Sequence, residues 1–247
     1  AVLVMSSMIA AVGAAVGYAG LAGGYGVAAA IAVGVMLLML PFDGKPSVRS
    51  QSSAPTPLAV TPRALAVVSM GVVFVSCSGL GFTYMFNVAQ SLGMSYASAG
   101  AGIGVLLLVS ALACLVGGWA SSRFGPTRPL AVAFLTCALG RYWVIHAPSA
   151  SVFYIALVPA VFSLQFNFPV LLDLAGSLDE EGQWGAIAAP LQTSGFAWAA
   201  ILAGTLVGAV GLTAIPVATG AGMCVCLALL WIATSDQAPS GTRERAR

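Results

Sequence analysis

Charge is what this chain has least of. Of its 247 residues, 9 are Lys or Arg and 7 are Asp or Glu, 6% together, where a soluble domain carries about a quarter. So few charges cannot cover a water-exposed surface, which excludes a soluble globular domain. Disorder is excluded too, because it needs low hydrophobicity and high charge. A net charge of +2 argues against nucleic acid as a partner. Histidine is limited to His146, and the five cysteines all lie in apolar runs where the thiol packs as a small hydrophobe. Cys224 and Cys226, two apart, point to nearly opposite sides of a helix. No metal site or cofactor is therefore expected. No G-x-x-x-x-G-K-S/T loop occurs, which argues against a nucleotide-driven machine. No His, Cys and carboxylate grouping marks an active site, so an enzyme is not expected.

What the chain has is apolar residues, 60% of the total. Measured against the roughly 20 residues needed to cross a hydrocarbon core, the sequence predicts an all-α polytopic membrane protein with about eight transmembrane helices. The expected spans are Val2–Ala19, Ala22–Leu40, Ala64–Val88, Ala97–Trp119, Leu130–Ile145, Val152–Ala175, Gly185–Val210 and Thr213–Ala233. The stretch 41–63, rich in proline and serine, reads as a polar linker. It separates two helices in residues 1–40 from six in residues 64–234, with a polar tail at 235–247. If the linker is cytoplasmic, alternation puts every Lys and Arg except Arg141 on that same side. The turns on the other side hold none, a complete positive-inside bias. Within 64–234, Ala64–Ile145 and Val152–Ala233 are equally long three-helix stretches of opposite topology, the footprint of an inverted repeat.

One motif points to a family. Gly118-Trp-Ala-Ser-Ser122-Arg123-Phe-Gly125-Pro-Thr-Arg128 resembles the G-x-x-x-D-R-x-G-x-R/K-R/K signature of the major facilitator superfamily. Ser122 stands at the acidic position and Thr127 at one basic position, as in the weaker copy between that family's helices 8 and 9. In such a tight turn Gly118 is expected to let a neighbouring helix approach and Gly125 to take a positive φ. Arg123 and Arg128 would anchor to acids, carbonyls or lipid phosphate. The resemblance implies that residues 64–234 form the full C-terminal six-helix bundle of an incomplete fold. Residues 1–40 would then be helices 5 and 6, and helices 1 to 4 would be missing N-terminal partners. It further implies a secondary transporter of a small organic solute, working by alternating access in the lipid bilayer. The expected location is a bacterial cytoplasmic membrane, with linker and C-terminus cytoplasmic. A truncated, transport-inactive chain is a second reading, and a membrane-embedded enzyme a third.

Polar side chains in hydrocarbon are costly and therefore informative. Gln165, Asn167, Pro169 and Asp173 fall in one span, and Phe166 lies between the two amides. Gln165 and Asn167 either contact a substrate or bond neighbouring helices. Because family helices 7, 10 and 11 line the cavity, Tyr84, Asn87 and Gln192 are further candidates by resemblance. Arg141 is the one basic residue inside a span. It either snorkels to the outer headgroups or plays a buried role, pairing with a substrate anion or holding helices together. Asp173 is too near the inner end of its span to be its partner. With Asp179, Glu180 and Glu181 it is expected to form an acidic edge that latches to Arg123 or Arg128.

Overall fold

The structure, a computed structural model, describes residue 30 and residues 58–179 and 181–235. The expected spans Val2–Ala19 and Ala22–Leu40, nearly all of the linker, and the tail beyond Ser235 lie outside the described residues. Among them the chain is all-helical apart from short connections, with no strand. The helices are α1 (Pro62–Ser91), α2 (Tyr96–Ser110), α3 (Leu112–Phe124), α4 (Thr127–Ile145), α5 (Ala150–Gly176), α6 (Gln183–Val210) and α7 (Ala214–Ser235).

Local chemistry explains where they start. The Thr61 hydroxyl accepts from the Ala64 N–H at 3.1 Å, and Pro62 occupies a first-turn position where no N–H is needed. Ser95 and Ser149 cap α2 and α5 in the same way, at 3.2 and 3.4 Å. The Asp179 carboxylate caps α6, accepting from the Gln183 N–H at 2.7 Å and the Trp184 N–H at 3.3 Å. A negative charge belongs at that positive end of a helix.

Five helical stretches are long and apolar enough to cross a membrane: Pro62–Ser91, Tyr96–Phe124, Ala150–Gly176, Gln183–Val210 and Ala214–Ser235. They fit an integral membrane protein. All six spans expected between Ala64 and Ala233 coincide with helix, but two details differ from expectation. Leu130–Ile145 lies inside α4, a 19-residue helix that carries both Arg128 and Arg141 and is not among the five. The span expected at Ala97–Trp119 is interrupted at Ala111 between α2 and α3. There the Ser110 hydroxyl bonds the Leu107 carbonyl at 2.7 Å, and the Ala111 N–H reaches the Leu108 carbonyl at 3.2 Å. Such i to i−3 bonding tightens one turn and breaks the regular ladder.

α1 is the centre of the assembly and packs most extensively against α6 and α7, while α4 lies against α5 and α7. Ala64, Leu130, Ala175, Trp184 and Ala233 share one apolar cluster. The starts of α1, α4 and α6 and the ends of α5 and α7 therefore meet at one end, together with Arg63, Arg123 and Arg128. We call this the basic end. Val88, Ala89, Ala99, Val144 and Phe153 form a second cluster at the far end. A third joins Leu80, Ala203 and Ile215.

Candidate functional site

The α3–α4 turn has the backbone its glycine predicts. Gly125 takes φ +73°, ψ 165°, a region that side-chain-bearing residues rarely adopt. Gly118 does not do what was expected of it. Among the described residues a Cβ there would meet nothing within 4 Å, and the close approach they show is at Gly117, where a Cβ would lie 2.5 Å from the Phe166 carbonyl oxygen. The two neighbours point in different directions from the helix, and only Gly117 faces α5. Arg123 is exposed and lies over the Phe124 ring at 5.9 Å, and Arg128 is exposed as well. On the α5–α6 side the described acidic residues bond locally. Asp179 caps α6, Glu181 accepts from the Gln183 side-chain amide, and Asp173 is exposed at the basic end of α5. Glu180 falls outside the described residues.

The interior polar residues divide into two layers. The first is in the basic half. Asn167 on α5 and Gln192 on α6 are both 0% exposed, and neither amide finds a hydrogen-bond partner for its oxygen or nitrogen among the described residues. Leu164, Val170 and Leu171 around Asn167, and Ala188 one turn before Gln192, belong to the same apolar cluster. Gln192 lies flat on α1 because position 71 is glycine. A Cβ there would come within 2.5 Å of the Gln192 side chain.

Gln165 is buried at 3% exposure and is not without an interaction of its own. Its backbone shows why α5 tolerates proline. Pro169 has no N–H to give the carbonyl four residues back, which is that of Gln165. The Cys114 thiol of α3 donates to that orphan oxygen at 3.0 Å. Cys114 was legible in the sequence only as an apolar filler.

The second layer holds Arg141. The helix from Gly71 to Gly81 rises about 15 Å at 1.5 Å per residue, and a Cβ at Gly81 would lie 2.6 Å from Arg141 Cδ. Arg141 is 0% exposed, so it does not snorkel. It turns inward to α1 and sets its guanidinium over the Phe82 ring at 4.4 Å. Tyr84 is half-buried against the third apolar cluster, and Asn87 is exposed near the end of α1. The structure therefore does not bring these two together with Asn167 and Gln192.

Two apolar grooves run along the bundle. One of about 550 Å³ lies between α3, α4 and α5, lined by Phe124, Arg128, Val132, Phe162 and Phe166 among others. The second, about 420 Å³, lies between α4 and α5 near Trp143 and Pro159. Of the candidate residues, Phe166 and Arg128 line the first of these grooves. Among the described residues no group of three His, Cys, Asp or Glu side chains comes together to hold a metal ion. Comparison with family models, with curated proteins and with solved structures returns no match.

Proposed function

We propose that the chain is part of a secondary transporter of the major facilitator type, moving a small organic solute by alternating access. The observation that carries this reading is the pair of wholly buried amides, Asn167 and Gln192, unpartnered among the described residues in the basic half of an apolar bundle. A buried amide with no partner costs its desolvation and returns nothing. In a membrane bundle such groups mark a path for polar solutes. A solute offering donors and acceptors would satisfy both, and Gly71 provides the space in which Gln192 can turn toward it. The G-x-x-x-D-R-like turn with Gly125 at positive φ, the complete basic bias, and the two equal three-helix stretches support the same reading. In that frame the basic end is cytoplasmic, and α1–α4 and α5–α7 are the inverted repeats.

Counterflow in vesicles tests it. Vesicles holding the protein, preloaded with unlabelled small organic acids, amines or sugars, are given the matching labelled solute outside. Saturable counterflow for one class, reduced about tenfold by Gln192→Leu as expected when about one hydrogen-bond interaction is lost, supports transport. Fluxes equal to those of empty vesicles for every class would instead indicate a chain that inserts but does not transport. Orientation is tested separately by single cysteines replacing Arg63 and Arg123 on a background without the native thiols. Labelling of either from outside intact cells would reverse the topology.

A further inference from the structure

Arg141 is the largest wholly buried side chain among the described residues. Nε and both terminal nitrogens lack a hydrogen-bond partner there. What surrounds the guanidinium cannot neutralise it. Phe82 gives a ring face at 4.4 Å. The Cys137 thiol, one turn earlier, faces the guanidinium but is a neutral, weak acceptor, and it also contacts the Ser78 hydroxyl at 3.5 Å. Counter-charge is missing more generally. No Asp or Glu occurs in the sequence between Asp43 and Asp173. Asp173, Asp179 and Glu181 all sit toward the basic end, whereas Arg141 lies about 21 Å along α4 from Thr127 and about 6 Å from Ile145 at 1.5 Å per residue.

The surroundings nevertheless hold this residue in place. Any side chain at position 81 would collide with Arg141, since a Cβ there would sit 2.6 Å from Cδ, 2.8 Å from Nε and 2.9 Å from one terminal nitrogen. Gly140 beside it lets α5 approach, a Cβ there lying 2.7 Å from the Ala160 nitrogen. A charge so placed is among the most costly groups a membrane bundle can carry, and an ionisable residue inside a membrane bundle marks a functional site by default.

We propose that Arg141 is an anion-binding residue that takes the carboxylate of an organic monoanion with an apolar body, admitted from the far end. Each element of that class has a physical reason. The guanidinium offers a planar fork that matches a carboxylate with two parallel hydrogen bonds. The other described basic residues, Arg63, Arg123 and Arg128, are at the basic end, so one positive charge faces the ligand. A monoanion leaves a neutral pair, whereas inorganic phosphate as a dianion would leave an unpaid charge in hydrocarbon. Phe82, half-buried between the two apolar clusters, gives an apolar ring face beside the guanidinium that suits an apolar body. The inference rests on the transport reading for the fate of the anion, but its binding is independent of that reading.

The experiment is therefore a binding measurement on the purified whole chain in neutral phosphatidylcholine nanodiscs. Melting temperature is followed against formate, butyrate and benzoate, with benzamide, chloride and inorganic phosphate as comparisons. The expected result is a saturable upward shift with the carboxylates, larger for benzoate than for formate, and none with benzamide. Arg141→Gln should abolish the shift while melting at or above the ligand-free wild type, because it removes an uncompensated charge. Arg141→Lys should bind about tenfold more weakly, since lysine offers a point charge without the fork. Gly81→Ala, which displaces the guanidinium without altering charge, should also weaken binding.

A carboxylate shift that persists in Arg141→Gln overturns the proposal, as does the absence of a shift with every carboxylate. Equal shifts with chloride overturn the ligand class, and stabilisation only in phosphatidylglycerol nanodiscs assigns the site to a lipid headgroup instead. A ligand-free Arg141→Gln that melts well below wild type makes the residue a structural strut. Carboxylate binding without counterflow would leave the anion site standing and remove the transport reading.

Discussion

α1 and α6 are alike in length and apolar character, yet they lie in different surroundings. In its most apolar window α1 is 67% buried, whereas α6 is 17% buried, although their mean hydropathies are 2.0 and 1.6. The buried residues of α6 are Trp184, Ala188, Gln192, Gly195, Ala199 and Ala203, a narrow seam at steps of three and four. Mostly small, they let α6 close on α1. A Cβ at Gly195 would stand 3.0 Å from the Ser76 nitrogen and the Val72 oxygen, and one at Gly79 would meet the Ala199 Cβ at 2.5 Å. Ile187, Leu191, Trp198, Ile201 and Leu202 on the other side are exposed. In a soluble protein the large apolar residues would mark the buried face. In a bilayer lipid solvates them as well as protein does, and the small residues mark the contact.

Substitutions can break this seam or sharpen it. Gly195→Leu forces four carbons into the α1 backbone, where no flexible side chain can yield. It should cost about 3 kcal/mol or more and appear as lost folded yield in size-exclusion profiles. Gly71→Ala meets the Gln192 side chain, which can swing away, so the cost should be about 1–2 kcal/mol. In combination with Gln192→Ala that cost should largely vanish, a coupling that a double-mutant cycle measures directly. Gln192→Leu replaces an unsatisfied amide by a slightly smaller apolar group. Reversible unfolding in bicelles should find it neutral or more stable, while counterflow falls. Leu202→Ala on the exposed face should stay within about 0.5 kcal/mol. If Leu202→Ala proved as damaging as Gly195→Leu, the exposed face would be an interface and not a lipid surface.

The sequence was most legible where a single residue decides its own geometry. Helix positions follow from apolar run length, which is why Gly185–Val210 was anticipated and Gln183–Val210 observed. The positive φ of Gly125 follows from the turn. Facing direction was not legible, because it depends on the neighbour. Gly117 and Gly118 are indistinguishable in the sequence until α5 lies against one of them. Arg141 near a helix end suggested snorkelling, and only the gap at Gly81, more than fifty residues away along the chain, turns it inward. The break at Ala111 has no proline or glycine to announce it; the Ser110 hydroxyl bonds the Leu107 carbonyl there, but Ser163 and Ser194 make the same bond inside unbroken helices. Cys114 gains a role only through its partner across the bundle, the carbonyl that Pro169 leaves open.

The exposed hydroxyls of α6 have a consequence for how this helix meets lipid. Thr193 donates to the Ala189 and Pro190 carbonyls at 3.0 and 2.9 Å, Ser194 to Leu191 at 2.7 Å, and Thr205 to Ile201 and Leu202 at 3.2 and 2.9 Å. Each hydroxyl proton is thus folded back onto its own helix, and what faces outward is mainly methyl and methylene. A transfer scale charges these residues as if they were hydrated, which is part of why α6 has the lowest mean hydropathy of the five candidate spans. To an acyl chain the surface is as oily as a run of alanine and valine. Replacing these positions with valine should leave insertion unchanged, whereas asparagine, whose amide cannot be hidden by a single backbone carbonyl, would present lipid with a polar group for the first time.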